Sequence, residues 1–252
     1  MKVVIVTEGF KGRGYGHMTR CLAIYQAFEE RGITPTYVVD SDGVDAQFLG
    51  PINRVELDWR NNMYELLRLT AHSDLIVVDS YQADAEVYER LRQTSGKTLY
   101  LDDYLRIDYP PGIIVNGTVG AERLPYPNDR GHRYLLGIDY APLRKEFWDT
   151  CRREGRRDIM NVLLTFGGED HRNLAAKTLR YLLESFPEYT YHVVRGSTPE
   201  EAGDKFNSQR VRFYRNLRAG DLLRLIMSCD LAISSAGQTL SSDIFPSDNT
   251  VS

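Results

Sequence analysis

Cysteine is scarce in this chain, and the three present, Cys21, Cys151 and Cys229, stand far apart and are odd in number. With no Cys-x-x-Cys pair, they suggest neither a disulfide framework nor a zinc site. The five histidines are scattered too, without the close spacing of a helical metal site. No apolar run approaches the ~18–20 residues of a membrane span, and Lys2-Val3-Val4-Ile5-Val6 leaves no room before it for a signal sequence. Charge of one sign is not in large excess. A formal net charge of −4 argues against a nucleic-acid binder working from a basic surface. What remains, 42% hydrophobic residues over 252 positions, is the composition of a soluble, cytoplasmic α/β protein, one large domain or two of ~100–150 residues.

What is present is organised around Thr7-Glu8-Gly9-Phe10-Lys11-Gly12-Arg13-Gly14-Tyr15-Gly16-His17-Met18-Thr19-Arg20. A β-branched run precedes it, and Cys21, Leu22, Tyr25 and Phe28 recur behind it at helical spacing. Strand, glycine loop and helix together offer backbone N–H groups and a positive helix end to an anion. Glycines at 9, 12, 14 and 16 allow positive φ and a close approach by a ligand. His17 falls in the first helical turn, where the macrodipole disfavours a positive imidazole. A neutral histidine beside a phosphate-shaped site can act as a general base. The loop lacks the third glycine of a dinucleotide fingerprint and the Gly-Lys-Ser/Thr ending of an ATP-type loop. A plain strand-to-helix turn, with His17 capping or solvated, would fit the same residues.

Further along, Thr34 to Asp40 reads as a strand with a turn at Ser41-Asp42-Gly43, both Asp40 and Asp42 being taken as turn formers. Met63, Leu66, Leu67 and Thr70 predict a helix, and Leu75-Ile76-Val77-Val78 a strand covered on both faces. A helix through Ala85, Tyr88 and Leu91 leads to the strands Thr98–Leu101 and Ile113–Val115. Three strands thus stop in polar residues, at Asp79-Ser80-Tyr81, Asp102-Asp103-Tyr104 and Asn116, and open α/β sheets bind ligands at those ends. The chain is loop-like to Arg133, and Tyr134 to Arg144 leads into a helix through Phe147 and Trp148. Arg152 to Asp158 is the candidate linker. A second α/β pattern follows: strands at 162–166, 189–194, 211–214 and 231–234, with helices around Leu174–Leu182 and Leu222–Ile226. It carries two more small-residue loops, Gly167-Gly168-Glu169-Asp170 and Ser235-Ala236-Gly237-Gln238-Thr239, of the kind that cradle a diphosphate.

Two parallel-sheet halves with glycine loops facing one cleft resemble the glycosyltransferase-B architecture, with an N-terminal Rossmann-like domain over 1–150 and a second over 158–252. Four stretches narrow the likeness. Gly14-Tyr15-Gly16-His17-Met18-Thr19-Arg20-Cys21-Leu22 resembles the signature of the UDP-sugar hydrolase of pseudaminic acid biosynthesis, grouped with spore-coat polysaccharide proteins and related to the peptidoglycan N-acetylglucosaminyltransferase. Leu136 to Phe147 is similar to that family's joining segment. Phe166-Gly167-Gly168-Glu169-Asp170 and Ser235–Thr239 are similar to its two C-domain loops. The resemblance implies removal of UDP from UDP-2,4-diacetamido-2,4,6-trideoxy-β-L-altropyranose by water, with no metal and no cofactor. It implies His17 as general base and an assisting hydroxyl on Tyr81. Sugar and loop contacts would involve Gly14, Gly16, Arg20, Asp79, Asp103 and Asn116. UDP would lie against Gly168, Ser235, Ala236, Gly237, Gln238 and Thr239, with main chain at Asn216 and Leu217 near the uracil. The partner implied is a small UDP-sugar, met by a monomer, with no nucleic acid and no membrane span.

At one point this chain departs from that family. Where a ribose-binding glutamate is expected it reads Ser241-Ser242, and Pro246 with clustered Ser, Asp and Asn does not continue a helix. The second domain is therefore expected to be C-terminally shortened. Three functions remain open on sequence: the hydrolase, an inverting UDP-sugar glycosyltransferase with an alcohol acceptor, and a sugar-nucleotide-binding remnant without activity.

Overall fold

The computed structural model describes residues 1–10, 14–43, 49–127, 131–149, 158–167, 170, 173–195, 209–215, 217–234 and 250–251. The chain divides into two compact units, Met1–Lys145 and Glu146–Ser252.

The first unit runs β1 (Val3–Gly9), α1 (Gly16–Glu29), β2 (Thr36–Ser41), β3 (Arg54–Glu56), α2 (Met63–Thr70), β4 (Leu75–Asp79), α3 (Ala85–Gln93), β5 (Thr98–Leu101), β6 (Ile113–Asn116) and β7 (Arg133–Leu136). The strands form one parallel sheet in the order β3-β2-β1-β4-β5-β6-β7. Helices lie on both faces, so neighbouring side chains of one strand enter different cores. Val4, Val6, Val38, Ile76 and Val78 pack with Leu66 of α2 and Tyr88 and Leu91 of α3. Val3, Ile5, Tyr37, Val39 and Val77 pack with Met18, Cys21, Leu22 and Tyr25 of α1. The strand order reverses between β1 and β4, which brings the carboxyl ends of those two strands together between α1 and α3. Ligand crevices of open α/β sheets form at such a switch point.

The second unit holds β8 (Asn161–Thr165), α4 (Leu174–Ser185), β9 (Thr190–Arg195), β10 (Val211–Arg215), α5 (Ala219–Ser228), β11 (Leu231–Ser234) and β12 (Thr250–Val251). Its parallel sheet has the order β10-β9-β8-β11-β12, and Ser234 lies opposite Thr165 in register. Val162, Leu164, Leu179, Tyr191 and Val193 form its core.

Several expectations are corrected. Tyr134–Leu136 is part of an edge strand, and the helix expected through Phe147 and Trp148 is replaced by two 3-10 turns, Ile138–Tyr140 and Lys145–Phe147. Gly137 at φ +101° and Pro142, which has no N–H to donate, interrupt that run. Asp40 is not a turn residue: it lies within β2, buried, with Arg60 Nε donating to its Oδ2 at 2.7 Å. Thr250–Val251 makes a strand beside β11, where no element was expected. Of the three cysteines, Cys21 and Cys229 are buried thiols outside any disulfide among the described residues, and Cys151 lies outside the described residues.

Candidate functional site

The glycine loop delivers α1 to the end of the sheet. Gly14 takes φ +84° and bridges back to Phe10, a conformation that favours glycine. Gly16 is exposed and opens α1, and neither it nor Gly9 has a positive φ. What requires glycine at 9 is close approach: a Cβ there would lie 2.0 Å from Met18 Sδ. Asn62 and Asp84 cap α2 and α3 with their side chains, whereas α1 has no side-chain cap among the described residues.

At the start of α1, His17 and Arg20, three residues apart, face the carboxyl end of β4. Asp79 Oδ1 lies 2.6 Å from His17 Nδ1, and Asp79 also accepts from Arg20 Nε at 2.8 Å and Nη2 at 2.7 Å. Burial works against the Asp79 carboxylate, but Arg20 and then His17 outweigh it and hold its pKa down to about 2. An ionised oxygen at 2.6 Å requires a donor, so Nδ1 carries the proton. In the neutral ring Nε2 is then the acceptor, and it has no hydrogen-bond partner among the described residues. Arg20 Nη2, 3.1 Å from His17 Nδ1, is held there by the same Asp79 oxygen. Burial disfavours the Arg20 charge, yet Asp79 and Asp103 together raise its pKa well above the ordinary value.

Asp103, just beyond β5, joins the group from the next strand. It accepts from Arg20 Nη1 on one oxygen and from the Tyr81 hydroxyl on the other. Burial and then Asp103 push the Tyr81 pKa up, so the phenol stays protonated. Its ring meets His17 edge-on, centroids 4.3 Å apart. His17, Arg20, Asp79, Tyr81 and Asp103 are thus one connected cluster.

Asn116 makes no hydrogen bond to this cluster among the described residues. Its fully buried side chain donates to Tyr126 Oη at 2.9 Å and accepts from Thr118 N at 3.0 Å and Thr118 Oγ1 at 2.6 Å. Asp102 is likewise structural: buried, it accepts from Leu105 N, Arg106 N, Tyr109 and Tyr126. Leu217 is half-buried ahead of α5. Gly168, Asn216, Ser235, Ala236, Gly237, Gln238 and Thr239 lie outside the described residues. Sequence reasoning gave no role to Tyr104, whose exposed ring lies 5.8 Å from that of Tyr81. An aromatic directly behind paired aspartates at a strand end was the available signal.

A Helicobacter pylori protein named pseudaminic acid cytidylyltransferase and UDP-2,4-diacetamido-2,4,6-trideoxy-beta-L-altropyranose hydrolase is 25% identical over 95% of this chain and 42% of its own length. The Bacillus subtilis spore coat polysaccharide biosynthesis protein SpsG is 23% identical over 95% of the chain and 73% of its own length. The chain is similar to both. An uncharacterized Methanocaldococcus jannaschii protein is 22% identical over 97% of the chain and 54% of its own length, so the chain spans about half of two of these relatives. No protein-family profile matches. Among solved structures, S. aureus MnaA in complex with UDP superposes with a TM-score of 0.62 at 10% identity, covering 94% of this chain and 75% of that one. Acinetobacter baumannii MurG superposes at 0.54 and 12% identity, covering 95% and 73%. The fold is of the glycosyltransferase-B type, α/β with parallel sheets. No described helix is long and apolar enough to cross a membrane, and the described residues hold no cluster of three or more His, Cys, Asp or Glu suited to a metal ion.

Proposed function

We propose that this chain is a sugar-nucleotide enzyme that releases UDP from a UDP-diacetamido-trideoxyhexose, with water as nucleophile and His17 as general base. The observation that carries the reading is the His17–Asp79 pair at the sheet's switch point: the carboxylate fixes the proton on Nδ1 and leaves Nε2 to accept one. As the water oxygen bonds to the anomeric carbon, its proton passes to Nε2. The bond from that carbon to the diphosphate breaks, and its electron pair leaves with UDP. Asp79 stabilises the ring while it is charged, and Arg20 keeps Asp79 ionised. Tyr81, its hydroxyl tied to Asp103, borders the attacking water, with Gly14, Gly16 and main chain at Asn116 toward the sugar.

UDP is assigned to the second unit. The segments holding Gly168 and Ser235–Thr239 follow β8 and β11 in the sequence, the neighbouring strands at which that sheet's order reverses. Backbone N–H groups there would stabilise the charge gained by the leaving diphosphate, with main chain at Asn216 and Leu217 toward the uracil. The names of the relatives, one a hydrolase of this substrate, support the reading.

Mass spectrometry on a panel of UDP-sugars tests it: free sugar and UDP are expected from a diacetamido substrate. His17→Ala should cut release by about 10²–10⁴-fold with the circular dichroism unchanged. Unchanged turnover removes the base assignment. A glycoside in place of free sugar when an alcohol is supplied would make the same site a glycosyltransferase.

A further inference from the structure

Glu8 is the penultimate residue of β1, and it is buried at 3% exposure between Thr7 and Gly9. Its carboxylate does not contact His17, Arg20 or Asp79 in any described hydrogen bond. It turns instead to the segment after β4. Oε1 accepts from Tyr81 N at 2.9 Å and Gln82 N at 3.2 Å, and Oε2 accepts from Ser80 Oγ. Ser80 Oγ in turn accepts from Gln82 N and Ala83 N, both at 2.9 Å. The N–H side of the turn at 80–83 is therefore gathered onto one buried carboxylate.

The carbonyl side of the same turn is held by a cation. Arg106 Nη2 donates to Ala83 O at 2.8 Å and Tyr88 Oη at 3.3 Å, and Nη1 to Tyr81 O at 3.4 Å. Arg106 is brought back to this turn from beyond β5. Asp102 accepts from its N–H and from that of Leu105, which sits in the left-handed region at φ +59°. Backbone of one short turn thus lies between two opposite charges, each matched to the backbone polarity it faces.

We propose that Glu8 and Arg106 are a positioning pair for Tyr81. Held from both sides, the turn sets the phenol on Asp103 and its ring edge against His17. Neither residue touches substrate in this proposal, and it rests on Tyr81 serving the hydrolase reaction proposed above. Displacement of the ring would matter because small errors in the placement of reacting groups cost large factors in rate.

The test uses the full chain. Glu8→Ala removes all three acceptor contacts, whereas Glu8→Gln keeps a carbonyl oxygen for Tyr81 N and Gln82 N. Glu8→Ala should lower kcat about tenfold with KM within about twofold, and Glu8→Gln should recover most of the loss. In a Tyr81→Phe background Glu8→Ala should cost less than about twofold further, because the two residues act as one unit. Should Glu8→Ala not fold, Arg106→Met carries the same expectations from the other side. Full additivity with Tyr81→Phe, or a kcat unchanged in both Glu8→Ala and Arg106→Met, overturns the proposal. Hydrogen–deuterium exchange separates it from the hydrolase reading. Faster exchange at 80–83 with β1 and β4 unchanged supports the clamp whatever the substrate proves to be, and unchanged exchange there overturns it.

Discussion

Asp79 is a carboxylate with 1% of its side chain exposed, kept ionised by two partners on α1. Its folded pKa of about 2 lies below the ordinary 3.8. The charged form is therefore favoured by folding, and the stability it contributes is fully present above pH 3.8 and is lost as pH falls toward 2. The gap corresponds to about 2 kcal/mol. Urea unfolding followed through the first unit should show stability falling between pH 4 and 2, by about 2 kcal/mol more in the native protein than in Asp79→Asn. Equal slopes in the two proteins would mean that Asp79 is not held ionised. Below pH 2 the same protonation would deprive Nδ1 of its ionised acceptor, so the orientation of His17 and the acid stability of the unit share one cause.

At the scale of elements, two glycines show how closely the pieces around the site approach. A Cβ on Gly117, directly behind β6, would lie 2.4 Å from Ala141 Cα and 2.8 Å from its N, so backbone would have to move. At Gly9 the obstruction is Met18 Sδ and Cγ, which a rotamer change can relieve within limits set by its burial. Gly117→Ala should destabilise the first unit by about 3 kcal/mol and Gly9→Ala by about 1 kcal/mol, read as shifts in urea midpoint. The reverse order would contradict the packing described. Elements with a strong pattern were legible in the sequence. Leu75–Val78 is a continuous apolar run, and Met63–Thr70 repeats at helical spacing. Arg54–Glu56 was not legible, because one apolar residue among three gives no period and its strand state comes from pairing with Tyr37–Val39. The stretches that hold Asp79, Tyr81 and Asp103 could be chosen because parallel strands put their carboxyl ends on one edge, and the family resemblance then singled out Tyr81. Glu8 and Arg106 could not, since their roles depend on a turn geometry and a left-handed residue that no local spacing encodes.

On the scale of the whole molecule, each unit has its own sheet and its own core, which is what independent opening requires. The proposal divides the chemistry between them, His17 on the first and UDP on the second. That division makes a quantitative demand. A ligand that binds only the folded second unit stabilises it by about 2.7 kcal/mol at a hundredfold excess over Kd. Amides of β8, β9 and β11 that exchange only through opening of that unit should therefore slow by about a hundredfold in saturating UDP. Amides of β1, β2 and β4 should keep their rates, because UDP alone lacks the sugar that His17 and Tyr81 would meet. Exchange measured by mass spectrometry on the full chain, with and without UDP, decides the matter. Protection confined to the first sheet would move the nucleotide to the histidine side, and the assignment of the segments that follow β8 and β11 would then be wrong while the Asp79–His17 geometry stood unchanged.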